Sequence, residues 1–246
     1  MKDIDIFKRA EEYKGRIDAL RPFSESMLKQ IRQYYRIGLT WSSNALEGNS
    51  LTESETKVLL EDGLTVGGKP VRDYYEATGH AKAYDFMYDL SGEHNITEDD
   101  IKTLHRLFYE QIDVSLAGVY RNEKVIITGS RYPTPAPDKI EHLMAEFVKS
   151  LSSMEHKLHP VEYAAAAHKE FVFIHPFIDG NGRVARLLMN LCLIRQGYTI
   201  AVIPPVLRAE YIDVLEKAHE DDAGFFTFIA SRIVETQKEL LRLLGE

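Results

Sequence analysis

The chain predicts an all-α fold, mainly helical, with one small β-hairpin flap. Apolar residues recur at helical spacing through most of its 246 residues. Met27, Leu28, Ile31, Tyr34 and Tyr35 form one such stripe, and Ala77, Ala81, Tyr84 and Tyr88 another. Against this background stands one strand-like run, Lys124-Val125-Ile126-Ile127-Thr128, followed by Gly129-Ser130 and the Pro-rich Tyr132-Pro133-Thr134-Pro135-Ala136-Pro137. Prolines cannot donate to a central ladder, so the run reads as a short hairpin or flap.

The helices carry their own punctuation. Thr52 precedes Glu55 ahead of Val58-Leu59-Leu60, and Thr97 precedes Asp100 ahead of Ile101 and Leu104, two capping-box patterns. Residues 63–70 are a Gly-rich connector. Pro160 opens an Ala-rich helix through Phe173, and Pro176 helps to end it. Further helices are expected from about Arg183 to Arg195, Arg208 to His219 and Phe225 to Leu244. The chain divides into an amino-terminal helical region, 1–90, and a core, 91–246.

Composition narrows the function. Lys plus Arg total 30 against 38 Asp plus Glu, a formal net charge of -8, which disfavours tracking of nucleic-acid phosphates. The single cysteine, Cys192, excludes a disulfide or cysteine-based zinc site and sits in an apolar run as a buried thiol would. His156, His159, His168 and His175 match no standard zinc spacing. The charged start, Met1-Lys2-Asp3-Ile4-Asp5, is no signal peptide, and no stretch approaches the ~20 apolar residues of a membrane span. The expectation is a cytoplasmic protein without membrane partners.

Chemistry concentrates in His175-Pro176-Phe177-Ile178-Asp179-Gly180-Asn181-Gly182-Arg183-Val184-Ala185-Arg186, a tight turn between two apolar helices. Gly180 and Gly182 allow backbone conformations and close approaches barred to other residues. Amides from such a turn, with the positive end of the next helix, make an anion site. Arg183 and Arg186, three apart, suit a di- or triphosphate. Asp179 is the hard oxygen ligand that Mg²⁺ prefers, and a neutral His175 can take a proton from an attacking hydroxyl. Asp-Gly-Asn-Gly alone is an ordinary surface turn. The surrounding groups set this one apart.

The twelve residues resemble the Fic signature, His-Pro-Phe-x-Asp-Gly-Asn-Gly-Arg-x-x-Arg, at every fixed position. Leu158-His159-Pro160-Val161-Glu162-Tyr163-Ala164 and Gly118-Val119-Tyr120-Arg121 look like the family's flanking segments. The likeness runs from about Leu39 onward and is nearest to the catalytic domain of the animal endoplasmic-reticulum Fic enzymes, whose anchor and repeats are not seen here. It implies a Fic-type helical core that takes Mg-ATP as co-substrate and transfers AMP to Ser, Thr or Tyr hydroxyls of target proteins. By position His175 is the general base and Asp179 the metal ligand. Gly180, Asn181 and Gly182 hold the α-phosphate, and Arg183 and Arg186 the remaining phosphates. Val125, Ile126, Ile127 and Thr128 are the flap that pairs with target backbone. Tyr211 and His219 fall at the adenine pocket, although both also read as helix-surface residues, and His219 departs from the Asn of close relatives. A homodimer is compatible with the sequence.

Ser43-Asn44-Ala45-Leu46-Glu47-Gly48-Asn49 resembles the family's inhibitory motif. A Glu47 carboxylate reaching Arg183 would compete with the outer phosphate of ATP. Gly48 also suits a plain helix cap, and both readings hold together. Two alternatives stand beside AMP transfer. One is AMP removal with Glu47 activating water. The other is a non-catalytic nucleotide-binding regulator, against which an intact His175 argues.

Overall fold

The computed structural model describes residues 5–92 and 95–246, so the charged start at residues 1–4 lies outside it. Ten α-helices appear among the described residues. They are α1 (Ile6–Ala19), α2 (Glu25–Ala45), α3 (Glu53–Asp62), α4 (Val71–Asp89), α5 (Glu98–Tyr109), α6 (Ile140–Lys157), α7 (Pro160–Ile174), α8 (Asn181–Arg195), α9 (Arg208–Lys217) and α10 (Ala223–Leu243).

The antiparallel pair α7 and α8 forms the centre. Both are apolar around most of their circumference, the signature of helices enclosed on all sides. Ala164 to Ala167 remove side-chain bulk from α7, which lets α8 approach closely. The pair α4 and α5 packs on α8, α6 and α10 cover α7, and α2 lies across α4 and α8. One continuous core runs from Ala10 on α1 to Leu241 on α10, through Met87, Leu90, Ile96 and Ile101. The division expected near residue 90 therefore lies within a shared core. Cys192 is fully buried, and burial pushes its thiol up to about 12.

Local signals place the ends. Both expected capping boxes form, Thr52 with Glu55 and Thr97 with Asp100. A third joins His159 to Glu162 at the start of α7. Gly48, with φ 96°, caps the turn after α2, and Gly63, with φ 68°, ends α3.

The flap departs from expectation, because no β-strand forms at Val125–Thr128. The segment carries no regular structure and turns at Thr128 and Gly129, with Val125 and Ile127 half-buried and Ile126 exposed, and its returning arm carries Pro133, Pro135 and Pro137, which lack the N–H groups a ladder needs. Side chains close it instead. Thr134 Oγ1 donates to the Val125 carbonyl at 2.7 Å. At the tip, the Arg131 amide donates to Glu216 at 2.6 Å and the Tyr132 hydroxyl to Glu220 at 2.8 Å.

The crossing of α4 over α5 depends on Gly79, where an added Cβ would run into the Phe108 carbonyl. Backbone cannot yield as a side-chain tip can. Gly79→Ala is expected to destabilise the fold by about 1–3 kcal/mol, read as a lower thermal midpoint. An unchanged midpoint would show that the two helices separate without cost.

Candidate active site

The turn from α7 to α8 is built from its own residues. His175 takes a left-handed conformation, φ 52° and ψ 58°, at the end of α7, and Pro176 bars further helix. It is the one non-glycine residue with positive φ among the described residues. Such a conformation persists only where surrounding contacts enforce it. Arg121 supplies them. Its Nε donates to the His175 carbonyl at 2.7 Å, while Nη1 and Nη2 donate to the carbonyls of Glu123 and Pro135. One buried guanidinium thus joins the turn to both roots of the flap.

Asn181 closes the turn on the other side. Its Oδ1 accepts from the Phe177 amide at 2.9 Å and its Nδ2 donates to the Phe177 carbonyl at 2.8 Å. Both ends of the side chain bond the Phe177 peptide groups, which leaves one Nδ2–H and the Asn181 main-chain amide for a ligand. Gly180, φ 80°, precedes α8 without any side-chain cap, leaving first-turn amides for an anion. A Cβ on Gly180 would stand 2.8 Å from the Phe108 ring, and one on Gly182 would collide with the Glu47 carboxylate. Neither glycine is replaceable without movement.

His175 Nδ1 lies 3.3 Å from the Val172 carbonyl. A carbonyl only accepts, so Nδ1 carries the proton and Nε2 keeps its lone pair. Burial, aided by the Arg121 charge, lowers the His175 pKa below the usual histidine value. The ring is neutral at physiological pH and able to accept a proton.

The two arginines separate in role. Glu47 Oε1 accepts from Arg186 Nη2 at 2.7 Å, correcting the expectation that Glu47 would reach Arg183. The cause is rotation along α8. Arg186 faces α2, where its Nε donates to Ser43 Oγ at 2.9 Å and its Nη2 to the Ser43 carbonyl at 2.8 Å. Although burial opposes its ionisation, Arg186 and Arg183 hold the Glu47 carboxyl below its ordinary value. Arg208 Nε donates to the Leu46 carbonyl at 2.6 Å and fixes the turn that carries Glu47.

Tyr211 belongs to this cluster, not to a helix surface. It is 3% exposed, its hydroxyl accepts from Arg186 Nη1 at 3.4 Å, and it lies 2.8 Å from His168 Nε2. Burial lowers His168 to about 3, so the imidazole is neutral and shares a hydrogen bond with the hydroxyl. His219 stacks between Tyr132 of the flap and Phe173 of α7, with ring centroids 3.7 and 3.5 Å away.

Arg183 faces α4 and α5. Its Nη1 pairs with Glu76 at 3.0 Å, its Nη2 with Asp179 Oδ1 at 3.1 Å, and its guanidinium lies over the Phe108 ring. Asp179 Oδ1 also accepts from the Gly180 amide at 2.6 Å, and Oδ2 from Arg72 Nη2 at 2.5 Å. Burial works against the Asp179 charge, but Arg183, the Gly180 amide and Arg72 together hold the carboxyl below its usual range. His105 supports this loop from α5. It accepts from the Gly118 amide through Nδ1, donates to the Asp179 carbonyl through Nε2, and stacks on Phe177 at 3.8 Å.

Sequence reasoning did not single out Arg72, Glu76, His105 or Arg208, and treated Arg121 only as part of a flanking segment. His105 alone carried a usable signal, a polar residue on the apolar face shared by Ile101, Leu104 and Phe108. A nuclear magnetic resonance titration of the His175 ring should place its midpoint below about 6.5. Arg121→Gln, which removes a nearby positive charge, should move it upward. A midpoint at or above the ordinary value would refute the neutral-base assignment.

Comparison with known proteins agrees with this geometry. Residues 95–193 match the Fic/DOC family. The chain is 37% identical over 229 residues to the protein adenylyltransferase Fic of Drosophila melanogaster, covering 91% of this chain and 46% of that protein. It therefore spans about half the length of the curated relatives it matches. Among solved structures, a C. elegans Fic-1 fragment superposes with a TM-score of 0.88 at 28% identity, covering 98% of this chain and 72% of the other. A Fic domain containing signaling protein from Bacteroides thetaiotaomicron gives 0.85 at 28% identity, with 95% of both chains covered. With its signature turn seated between two buried helices and its likeness extending over almost the whole length, this chain belongs to the Fic family.

Proposed function

We propose that the chain transfers AMP from ATP to a hydroxyl of a target protein, and that Glu47 restrains it. One observation carries the reading: a neutral imidazole with a free Nε2 stands beside an amide-lined helix start flanked by Arg183 and Arg186. Pure binding needs no base. His175 Nε2 takes the proton of the incoming hydroxyl as its oxygen attacks the α-phosphorus. The bond from that phosphorus to the bridging oxygen of the β-phosphate breaks, and pyrophosphate leaves. The names of the curated relatives support this class of reaction.

Asp179 suits a magnesium ion. Mg²⁺ takes one or two carboxylates and completes its shell with phosphate oxygens and water. A lone carboxylate, partly exposed beside an anion site, is the donor set such an ion requires. Bound there, Mg²⁺ would neutralise phosphate charge. The targets are Ser, Thr or Tyr side chains presented along the segment at Val125–Thr128.

Restraint follows from Arg186. Its guanidinium cannot pair fully with both Glu47 and an ATP phosphate. Phosphate held off its place misaligns the α-phosphorus, and in-line geometry governs phosphoryl transfer. AMP removal remains a second reading, because the same ionised carboxylate is one-third exposed and suits activation of water.

With ATP labelled on the α-phosphate, wild type should label targets weakly and Glu47→Gly strongly. Charge-assisted hydrogen bonds contribute roughly 1.5–3 kcal/mol, so productive ATP binding should rise by about one to two powers of ten. Glu47→Gly combined with Arg186→Ala should lose the gain. Transfer that Glu47→Gly leaves unchanged would reduce the motif to a helix end. His175→Ala in the Glu47→Gly background should abolish labelling while calorimetric ATP affinity persists. Joint loss of both would deny the imidazole a separate chemical role.

A further inference from the structure

Arg72 sits in the first turn of α4, whose Pro70 cap makes no side-chain hydrogen bond. A cation there faces the positive end of the helix dipole, an unfavourable place without a compensating partner. Two partners compensate it. Nη2 donates to Asp179 Oδ2 at 2.5 Å, and Nε donates to Glu76 Oε1 at 3.1 Å. Glu76 and Asp179 both pair with Arg183 as well, so four side chains form a closed ring of alternating charge.

The members of the ring differ in freedom. The side chains of Arg183 and Glu76 are 4% and 8% exposed, whereas that of Arg72 is 53% exposed. Asp179 Oδ1 is held by Arg183 and by the Gly180 amide. Its Oδ2 is held by Arg72, the one partner with room to leave. The ring also reaches the turn that bears Glu47, since Asn49 Nδ2 donates to Glu76 Oε2 at 3.0 Å.

We propose that Arg72 is a gate on the metal ligand. It occupies the Asp179 oxygen that a divalent cation needs, and it must swing outward before that cation can bind. This rests on the reading of Asp179 as the metal ligand. The gate and the Glu47 restraint then act on the two flanks of one anion site, the first through a displaceable cation and the second through a displaceable anion. Their shared contact at Asn49 and Glu76 links the two closures.

The test reads metal binding without catalysis. Mn²⁺ affinity is measured by electron paramagnetic resonance on the full chain saturated with ADP, for wild type, Arg72→Ala and Asp179→Asn. Asp179→Asn should lose tight Mn²⁺, and Arg72→Ala should gain about tenfold, the scale of one charge-assisted hydrogen bond. The Arg72 Nε–H resonance, assigned by its absence in Arg72→Ala, should shift when Mg²⁺ is added to the wild-type ADP complex. Undiminished Mn²⁺ binding by Asp179→Asn would overturn the metal-ligand reading itself. Loss in Asp179→Asn with no gain in Arg72→Ala would overturn the gate alone. A gain accompanied by an Arg72 resonance indifferent to Mg²⁺ would assign the effect to the general field, and would also overturn it. Thermal melting of both variants confirms that a folded protein is being compared.

Discussion

A guanidinium buried at the centre of the helical core organises the rest of the molecule. Arg186 is 2% exposed, and no part of it can be hydrated as an arginine ordinarily is. Withdrawing such a charge from water costs several kcal/mol unless its donors are satisfied and an anion lies close. Ser43, Glu47 and Tyr211 satisfy them, from two helices and the turn after one of them, and thereby fix where α2 and α9 lie against α8. Gly182 follows from the same need, since any side chain there would exclude the carboxylate. Helix α2 is consequently part of the site, and its packing is set by charge as much as by apolar burial.

The turn before α8 is held differently, by groups that leave its ligand-facing amides free. Asn181 bonds Phe177 through its side chain, His105 takes the Asp179 carbonyl, and Arg121 takes the His175 carbonyl. Each engages the loop from behind. A loop supported in this way needs no rearrangement when an anion arrives, which is how preorganised sites stabilise developing charge. The strained His175 backbone has the same origin. Arg121 and Pro176 together bar the relaxed alternatives, and the imidazole keeps Nε2 unprotonated.

Local chemistry was legible in the sequence wherever it depended on neighbours in the chain. Helix ends at Thr52, Thr97 and Pro160, and the Gly180–Gly182 turn, are decided within a few residues. Packing-dependent choices were not. Residues three apart on a helix lie about 60° apart around its axis, so nothing within α8 reveals whether Arg183 or Arg186 faces α2. Arg72 reaches Asp179 from α4, about a hundred positions earlier in the chain, and Glu76 reaches Arg183 from the same helix, where both read as ordinary helix charges. At Val125–Thr128 the β-prone pattern predicted a strand that does not form. The prolines on the returning arm outweighed it, leaving an irregular segment without a ladder.

The two ionic contacts beside the anion site share an asymmetry that bears on reversibility. At Arg186 the cation is buried and fixed, while its carboxylate partner is 34% exposed and can return to water. At Asp179 the carboxylate is anchored by the loop, while Arg72, 53% exposed, is the member able to leave. Opening the Arg186 contact therefore hydrates Glu47 alone, whereas opening the Asp179 contact exposes both Arg72 and a carboxylate that is itself 37% exposed. Arg186, being buried, needs an anion at once in place of the one lost, while Asp179 keeps Arg183 and the Gly180 amide and can take up water or a cation. A magnesium–nucleotide complex carries both in one ligand. On the proposed reading of the two contacts the anion is the stricter requirement, because only Arg186 is left buried and unpaired when its partner departs.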